Sequence, residues 1–393
     1  MDLATLWFFI VAFFFVGYFV LDGFDFGVGM SLPFLGKDDV SRRQVINTIG
    51  PVWDLNETWV IVAGAVLFAS FPEWYATLFS GFYLPLLLIL LALILRGVSF
   101  EYRHQRDSAK WKAGFDRMIV IGSVVPALLW GVAFGNIVQG VAIDENHIYV
   151  GGFFALLNPY ALLVGVTTLL LFFLHGVLFV ALKTDGQVHE DARRLAKRAA
   201  IPTILVAAAT VIWTVMIAMG REAPLLWLVI GAGALAAVSL IAAVGFSLAR
   251  RDGWAFFSGM LTVLFAVVML FAALFPFVMP STIDPAYSLT IANASSTPYT
   301  LQIMSWTALI AMPLVLAYQA WTYWVFRKRV TRKSIEGGSG ARVKPVDPRL
   351  LRYAGAARGV PRGIRVDRRR PDGGRDRLRL AADGCRHRGD RGA

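Results

Sequence analysis

Long apolar runs recur along almost the whole chain, and nothing else in the sequence constrains its fold as much. They cover approximately residues 6–33, 55–72, 76–97, 117–139, 157–182, 199–219, 224–248, 254–279 and 302–326. A helix needs roughly 20 apolar residues to cross a hydrocarbon core about 30 Å thick. In lipid every backbone N–H and C=O must be satisfied internally, and the strands of a closed barrel need only about 10 residues. The runs are therefore predicted to be helices, and the chain to be an all-α integral membrane protein with about nine transmembrane helices. Composition agrees: 57% of residues are hydrophobic and 16% charged, where soluble globular chains are about a quarter charged. The first run starts near Met1 and continues to about Leu35 with no small-residue cleavage site, so it reads as a retained helix rather than a signal peptide.

The basic residues alternate between connections. Lys37, Arg42 and Arg43 fill the first, Arg103, Arg106, Lys110 and Lys112 the third, Lys183, Arg193, Arg194, Lys197 and Arg198 the fifth, and Arg250 and Arg251 the seventh. The last run exits into Arg327, Lys328, Arg329, Arg332 and Lys333, while the even-numbered connections hold almost none. Cytoplasmic loops carry the Lys/Arg excess, which predicts an outside N-terminus and a cytoplasmic C-terminus. The net charge of +12 comes mostly from residues after Glu336, with 16 Lys/Arg against 6 Asp/Glu. Two domains are thus expected: a polytopic membrane domain at 1–335, and a basic Arg/Gly/Pro-rich tail at 336–393 with too few apolar residues to fold. The tail could meet anionic lipid or nucleic acid through charge alone, but a tail with no specific role and a chain with no nucleic-acid partner fit the composition better. The single cysteine, Cys385, rules out an internal disulfide and a Cys-ligated metal centre.

In a chain of this class the charges inside the runs carry the information, because a carboxylate at mid-bilayer costs about 2.5–3.5 kcal/mol and is kept for a pairing or for an ion route. Asp22 and Asp25 lie three apart in the first run, on one helical face, among glycines 17, 23, 27 and 29 that permit close helix contact. Asp54 and Glu57, again three apart, open the second run. With the orientation above, four carboxyls sit at similar depth near the cytoplasmic side. Asp54 has an alternative role as a helix-terminal cap, and Asp22 and Asp25 one as structural ion-pair members. Arg96, Glu101 and Arg103 at the end of the third run are candidate ion-pair partners; snorkelling to the interface explains them equally well. Of the five histidines only His175 falls within a run, which is too few for a multi-haem centre and fits a packed polar residue. No phosphate loop, zinc motif or nucleophile–base pair stands out, so neither a catalytic residue nor a metal site is expected in this chain.

Several stretches taken in order resemble subunit II of cytochrome bd-type quinol oxidases: Asp22-Gly23-Phe24-Asp25-Phe26-Gly27, Pro51-Val52-Trp53-Asp54-Leu55-Asn56-Glu57-Thr58-Trp59, Arg96-Gly97-Val98-Ser99-Phe100-Glu101-Tyr102-Arg103, Gly131 to Gly140, Leu157-Asn158-Pro159-Tyr160 and Phe275 to Pro280. The resemblance covers roughly residues 5–335. It implies two four-helix bundles plus a peripheral helix in the bacterial cytoplasmic membrane. It also implies a heterodimer with a subunit I that holds the b- and d-type haems and the quinol site, so no haem is expected in this chain. The complex would oxidise quinol and reduce O2 to water. The resemblance leaves room for a structural quinone and for small single-helix accessory subunits, and it places acids matching Asp22, Asp25 and Asp54 in a proton route. Leu55 departs from the glycine common after the Trp-Asp pair, which would narrow a water path beside Asp54. Two other readings use the same residues: a proton-coupled secondary transporter, and a scaffold subunit whose acids are only paired.

Overall fold

The computed structural model describes residues 2–339; the basic tail and Cys385 lie outside the described residues. Helix α1 spans Leu3–Leu35, capped by the Asp2 carboxylate on the Thr5 amide at 3.0 Å. It is followed by α2 (Asp39–Ile49), α3 (Trp53–Ser70), α4 (Pro72–Gly81), α5 (Tyr83–Tyr102) and α6 (Ala109–Gln139). A one-turn α7 (Gly152–Ala155) leads into α8 (Pro159–Lys183), α9 (Gly186–Gly220), α10 (Leu226–Leu248) and α11 (Asp252–Leu274). The chain closes with a strand pair, β1 (Phe277–Met279) antiparallel to β2 (Leu289–Thr290), and then α12 (Ile291–Ala294), α13 (Pro298–Val325) and α14 (Arg332–Ser339). Among the described residues eight helices are long and apolar enough to cross a membrane. A ninth span is made if α2 and α3, which meet at a 44° bend, are taken together. The molecule is thus a helical membrane protein.

Four boundaries differ from those drawn on hydropathy. The run 76–97 is broken at Phe82 into α4 and α5: Pro85 has no N–H to give the Gly81 carbonyl, so one helix running through this point would lose that bond. The run 254–279 stops at Leu274, since Pro276 cannot continue the helix and Phe277–Met279 pair as a strand instead. Helices α6 and α9 begin well before their apolar runs, so the connections are shorter than predicted and His189 sits on a helix. Polar residues can extend a helix into water beyond the bilayer, which hydropathy cannot register.

Helices α3, α5 and α6 pack around α1, directly or through one another, and α8 to α11 pack among themselves. The two sets join where α1 and α6 meet α8. The α1–α8 crossing is set by Gly27 and Gly176: a Cβ on Gly27 would lie 1.9 Å from the Phe172 carbonyl oxygen, and one on Gly176 would lie 2.3 Å from the Gly27 backbone. Small residues let backbones approach this closely where no hydrophobic drive between helices exists. Helix α13 rests on α1 and α3 with few contacts and most of its surface exposed.

Candidate functional site

The close α1 packing fixes a polar cluster in the middle of apolar surroundings. Asp22, Asp25 and Arg96 are each fully buried, with no exposed area. Arg96 Nη2 donates to Asp22 Oδ1 at 2.6 Å and to Glu57 Oε2 at 3.0 Å, and its guanidinium lies 4.4 Å from the centre of the Phe26 ring. Gly122 on α6 backs this arginine: a Cβ there would meet Arg96 Cβ at 2.8 Å. Asp25 turns to α3 instead, where Asn56 Nδ2 donates to its Oδ2 at 2.8 Å. Three residues on a helix advance by 300°, so the two aspartates diverge by about 60° and reach different neighbours.

Asn56 is the hub of a second set of bonds. Its Oδ1 accepts from Gln319 Nε2 at 3.1 Å and from the Tyr323 hydroxyl at 2.8 Å, tying α13 to α3. Tyr18, one turn before Asp22, accepts a hydrogen bond from Trp130 Nε1 at 3.1 Å. Within the cluster Asp22 Oδ2, Asp25 Oδ1, and Arg96 Nε and Nη1 have no protein partner among the described residues. Two buried carboxyls and a third, partly exposed one thus lie around one buried guanidinium.

The other sequence-marked residues lie elsewhere. Asp54 is exposed, and α3 has no side-chain cap, so Asp54 does not fill the capping role considered above. Glu101 is exposed as well. Arg103 is buried but joins a separate cluster: its Nε donates to Asp116 Oδ1 at 2.5 Å and its Nη2 to Asp39 Oδ1 at 3.0 Å, with Arg42 and Lys112 completing the set. Arg96 and Arg103 are seven residues apart, nearly two turns, so they share a helix face yet sit about 10 Å apart along the axis.

His175 is buried and stacked on Phe256, with ring centres 4.7 Å apart and planes 4° from parallel, and Phe24 packs on it edge-on. A Cβ at Gly259 would come within 2.9 Å of its Nδ1. The histidine is thus packed between aromatic rings inside the bundle. Among the described residues no group of three or more His, Cys, Asp or Glu could hold a metal ion. Asn56, Gln319, Tyr323 and Asp116 were not singled out from the sequence as site residues. Gln319 and Tyr323, four apart and so on one face of α13, were the available signal.

Comparison with known proteins points one way. The family model for cytochrome bd terminal oxidase subunit II matches residues 3–326. The chain is 42% identical over 339 residues to cytochrome bd ubiquinol oxidase subunit 2 of Bacillus subtilis (strain 168), covering 84% of this chain and 98% of that one. It is 37% identical over 371 residues to cytochrome bd-I ubiquinol oxidase subunit 2 of Escherichia coli (strain K12), covering 85% and 97%. The fold matches a chain of the bd oxidase from Geobacillus thermodenitrificans with a TM-score of 0.68, at 17% identity, over 83% of this chain and 99% of that one. The chain therefore belongs to the cytochrome bd terminal oxidase subunit II family.

Proposed function

We propose that this chain is the haem-free second subunit of a quinol-oxidising, O2-reducing terminal oxidase, and that its buried carboxyl cluster carries protons from the cytoplasmic side toward a haem-bearing subunit I. The observation that supports the proton role is the imbalance around Arg96: Asp22 and Glu57 both bond its guanidinium, and a third acid, Asp25, is fully buried beside them with Asn56, not a cation, bonded to its carboxyl. One guanidinium neutralises one carboxylate. Unpaired buried charge is costly, whereas a carboxyl that takes up and releases a proton is not. A surplus of acid over base inside a membrane is what a proton carrier needs and what a purely structural ion pair lacks. Membership of the family disfavours the transporter reading.

The proposal places the N-terminus outside and the C-terminus in the cytoplasm, with α1, α3, α5 and α6 as one bundle, α8 to α11 as the second and α13 peripheral. Subunit I docks over α3. Asp54 is exposed on that helix, Glu57 is partly so, and exposed carboxylates facing lipid are disfavoured. Asp54 then hands protons across the interface. A structural quinone would find an apolar groove of about 360 Å³ between α1, α3 and α13, with Trp7, Trp59 and Gln319 on its walls. Haems and quinol oxidation belong to subunit I, and small accessory subunits would pack on the remaining apolar faces.

The test is O2 consumption by membranes carrying Asp22→Asn or Asp54→Asn, with reduced-minus-oxidised spectra recorded beside it. Slower turnover with a normal b- and d-type haem spectrum is expected. Unchanged turnover in both variants would leave the acids a structural role only.

A further inference from the structure

At the basic end of the bundle a cleft of about 290 Å³ opens between the end of α8, the start of α11, the α2–α3 junction and the end of α13. Its lining combines apolar walls, among them Phe179, Leu182 and Phe256, with three cations, Lys183, Arg327 and Arg329, and no carboxylate. We propose that this cleft binds the phosphodiester headgroup of an anionic phospholipid, with the acyl chains leaving along the apolar wall.

Two of the cations, Lys183 and Arg327, are held rather than loose. Lys183 Nζ donates to the carbonyl oxygens of Phe326 and, at 3.0 Å, of Lys328, which spends two of its three protons and leaves one. Arg327 Nη1 donates to the Trp324 carbonyl at 2.6 Å while its guanidinium lies 4.4 Å from the centre of the Trp324 ring, so its plane is fixed beside an interfacial aromatic. Among the described residues Arg329 has one carboxylate within 4 Å, Asp252 at 3.7 Å, which already receives the Arg193 guanidinium at 2.8 Å. Most of the five Arg329 donors thus remain open, and a planar guanidinium is suited to two phosphate oxygens at once. Prearranged donors lose less entropy on binding than free side chains do. Basic pockets between membrane helices, at the depth where headgroups lie, are lipid-recognition sites by the same electrostatics. The Tyr323 hydroxyl, bonded to Asn56, belongs to a residue of the same lining. A bound lipid would therefore also cover the cluster's basic-end approach to Asp25.

The experiment is lipid titration of the purified oxidase complex by native mass spectrometry, comparing phosphatidylglycerol with phosphatidylcholine of identical acyl chains. One retained phosphatidylglycerol, with phosphatidylcholine binding weaker, is expected. Arg329→Gln, which leaves Asp252 its Arg193 partner, should weaken phosphatidylglycerol by about fivefold, as should Lys183→Gln, the increment expected for one basic residue near an anionic surface. Lys110→Gln removes the same charge from the same end outside the cleft and should change nothing. Equal losses in all three variants would mean diffuse surface charge and overturn the site. So would equal binding of the two lipids, or displacement of phosphatidylglycerol by millimolar inorganic phosphate, which would make it a free-phosphate site.

Discussion

Removing the Arg96 guanidinium should destabilise the complex more than almost any other single polar change. Arg96 and Asp22 are both fully buried and 2.6 Å apart, and the same Nη2 holds Glu57. Deleting one partner of such a pair costs about 3–5 kcal/mol, because the stranded charge must stay in a low-dielectric interior or change protonation. At the 2–4 °C per kcal/mol of a medium-sized domain, and less for a longer chain, Arg96→Gln should lower the unfolding midpoint by roughly 5–10 °C. The diagnostic is the double variant Asp22→Asn with Arg96→Gln. It removes both charges, leaves two neutral amides able to bond each other, and keeps Glu57 on the partly exposed side. Coupling of about 1–3 kcal/mol is expected, so the double variant should be more stable than Arg96→Gln alone. Thermal unfolding of the purified complex followed by size-exclusion recovery measures all four corners of the cycle. A double variant no more stable than Arg96→Gln would refute the pairing as the source of the loss, and a wild-type midpoint in Arg96→Gln would refute the burial argument altogether.

Arg103→Gln should cost about 2–3 kcal/mol, less than the fully buried case because Asp39 is solvent-screened. Turnover per assembled complex should be retained, which a paired stability and O2-consumption measurement checks. Gly176→Leu drives a side chain into the Gly27 backbone and should cut assembly yield, whereas Gly231→Ala on α10, with nothing within 4 Å of its added Cβ, should not; membrane yield on a blot separates the two. Asp38, outside the membrane spans, caps α2 through the Ser41 backbone amide and also meets Arg332 at 3.2 Å; the Ser41 bonds first, then Arg332, hold its carboxyl below the ordinary range. A lowered folded value means that its contribution is complete above the ordinary carboxylate range near 4 and disappears as the pH falls through the folded value. Hydrogen exchange around residues 330–336, corrected for intrinsic rate, should therefore stay constant from pH 7 to about 5 and quicken only in acid.

Much of the molecule was legible in the sequence because lipid imposes one strong rule. Runs long enough to span must be helices, and a carboxylate or guanidinium inside such a run must find protein. That was enough to mark Asp22, Asp25, Glu57 and Arg96, which the fold brings within reach of one another, and the ordered motifs pointed to the family that the comparisons establish. The same reasoning grouped Asp54, Glu101 and Arg103 with them, yet two of these are exposed and the third lies in the Asp116–Asp39 cluster. Spacing along one helix says which residues share a face, but not which neighbour that face meets. Asn56, Gln319 and Tyr323 were missed for a related reason. Neutral polar groups cost little in an apolar run, and their bonds join positions more than 260 residues apart. The division of α4 from α5 at Phe82 is equally invisible to hydropathy, since both sides are apolar. By itself the sequence determined a helical membrane chain with expensive charges buried in it, because the bilayer prices every residue locally. Which acid holds the arginine, and which turns to the Asn56 hub, was decided only by how closely α1, α3, α5 and α13 approach, since a hydrogen bond depends on fractions of an ångström that no local pattern encodes.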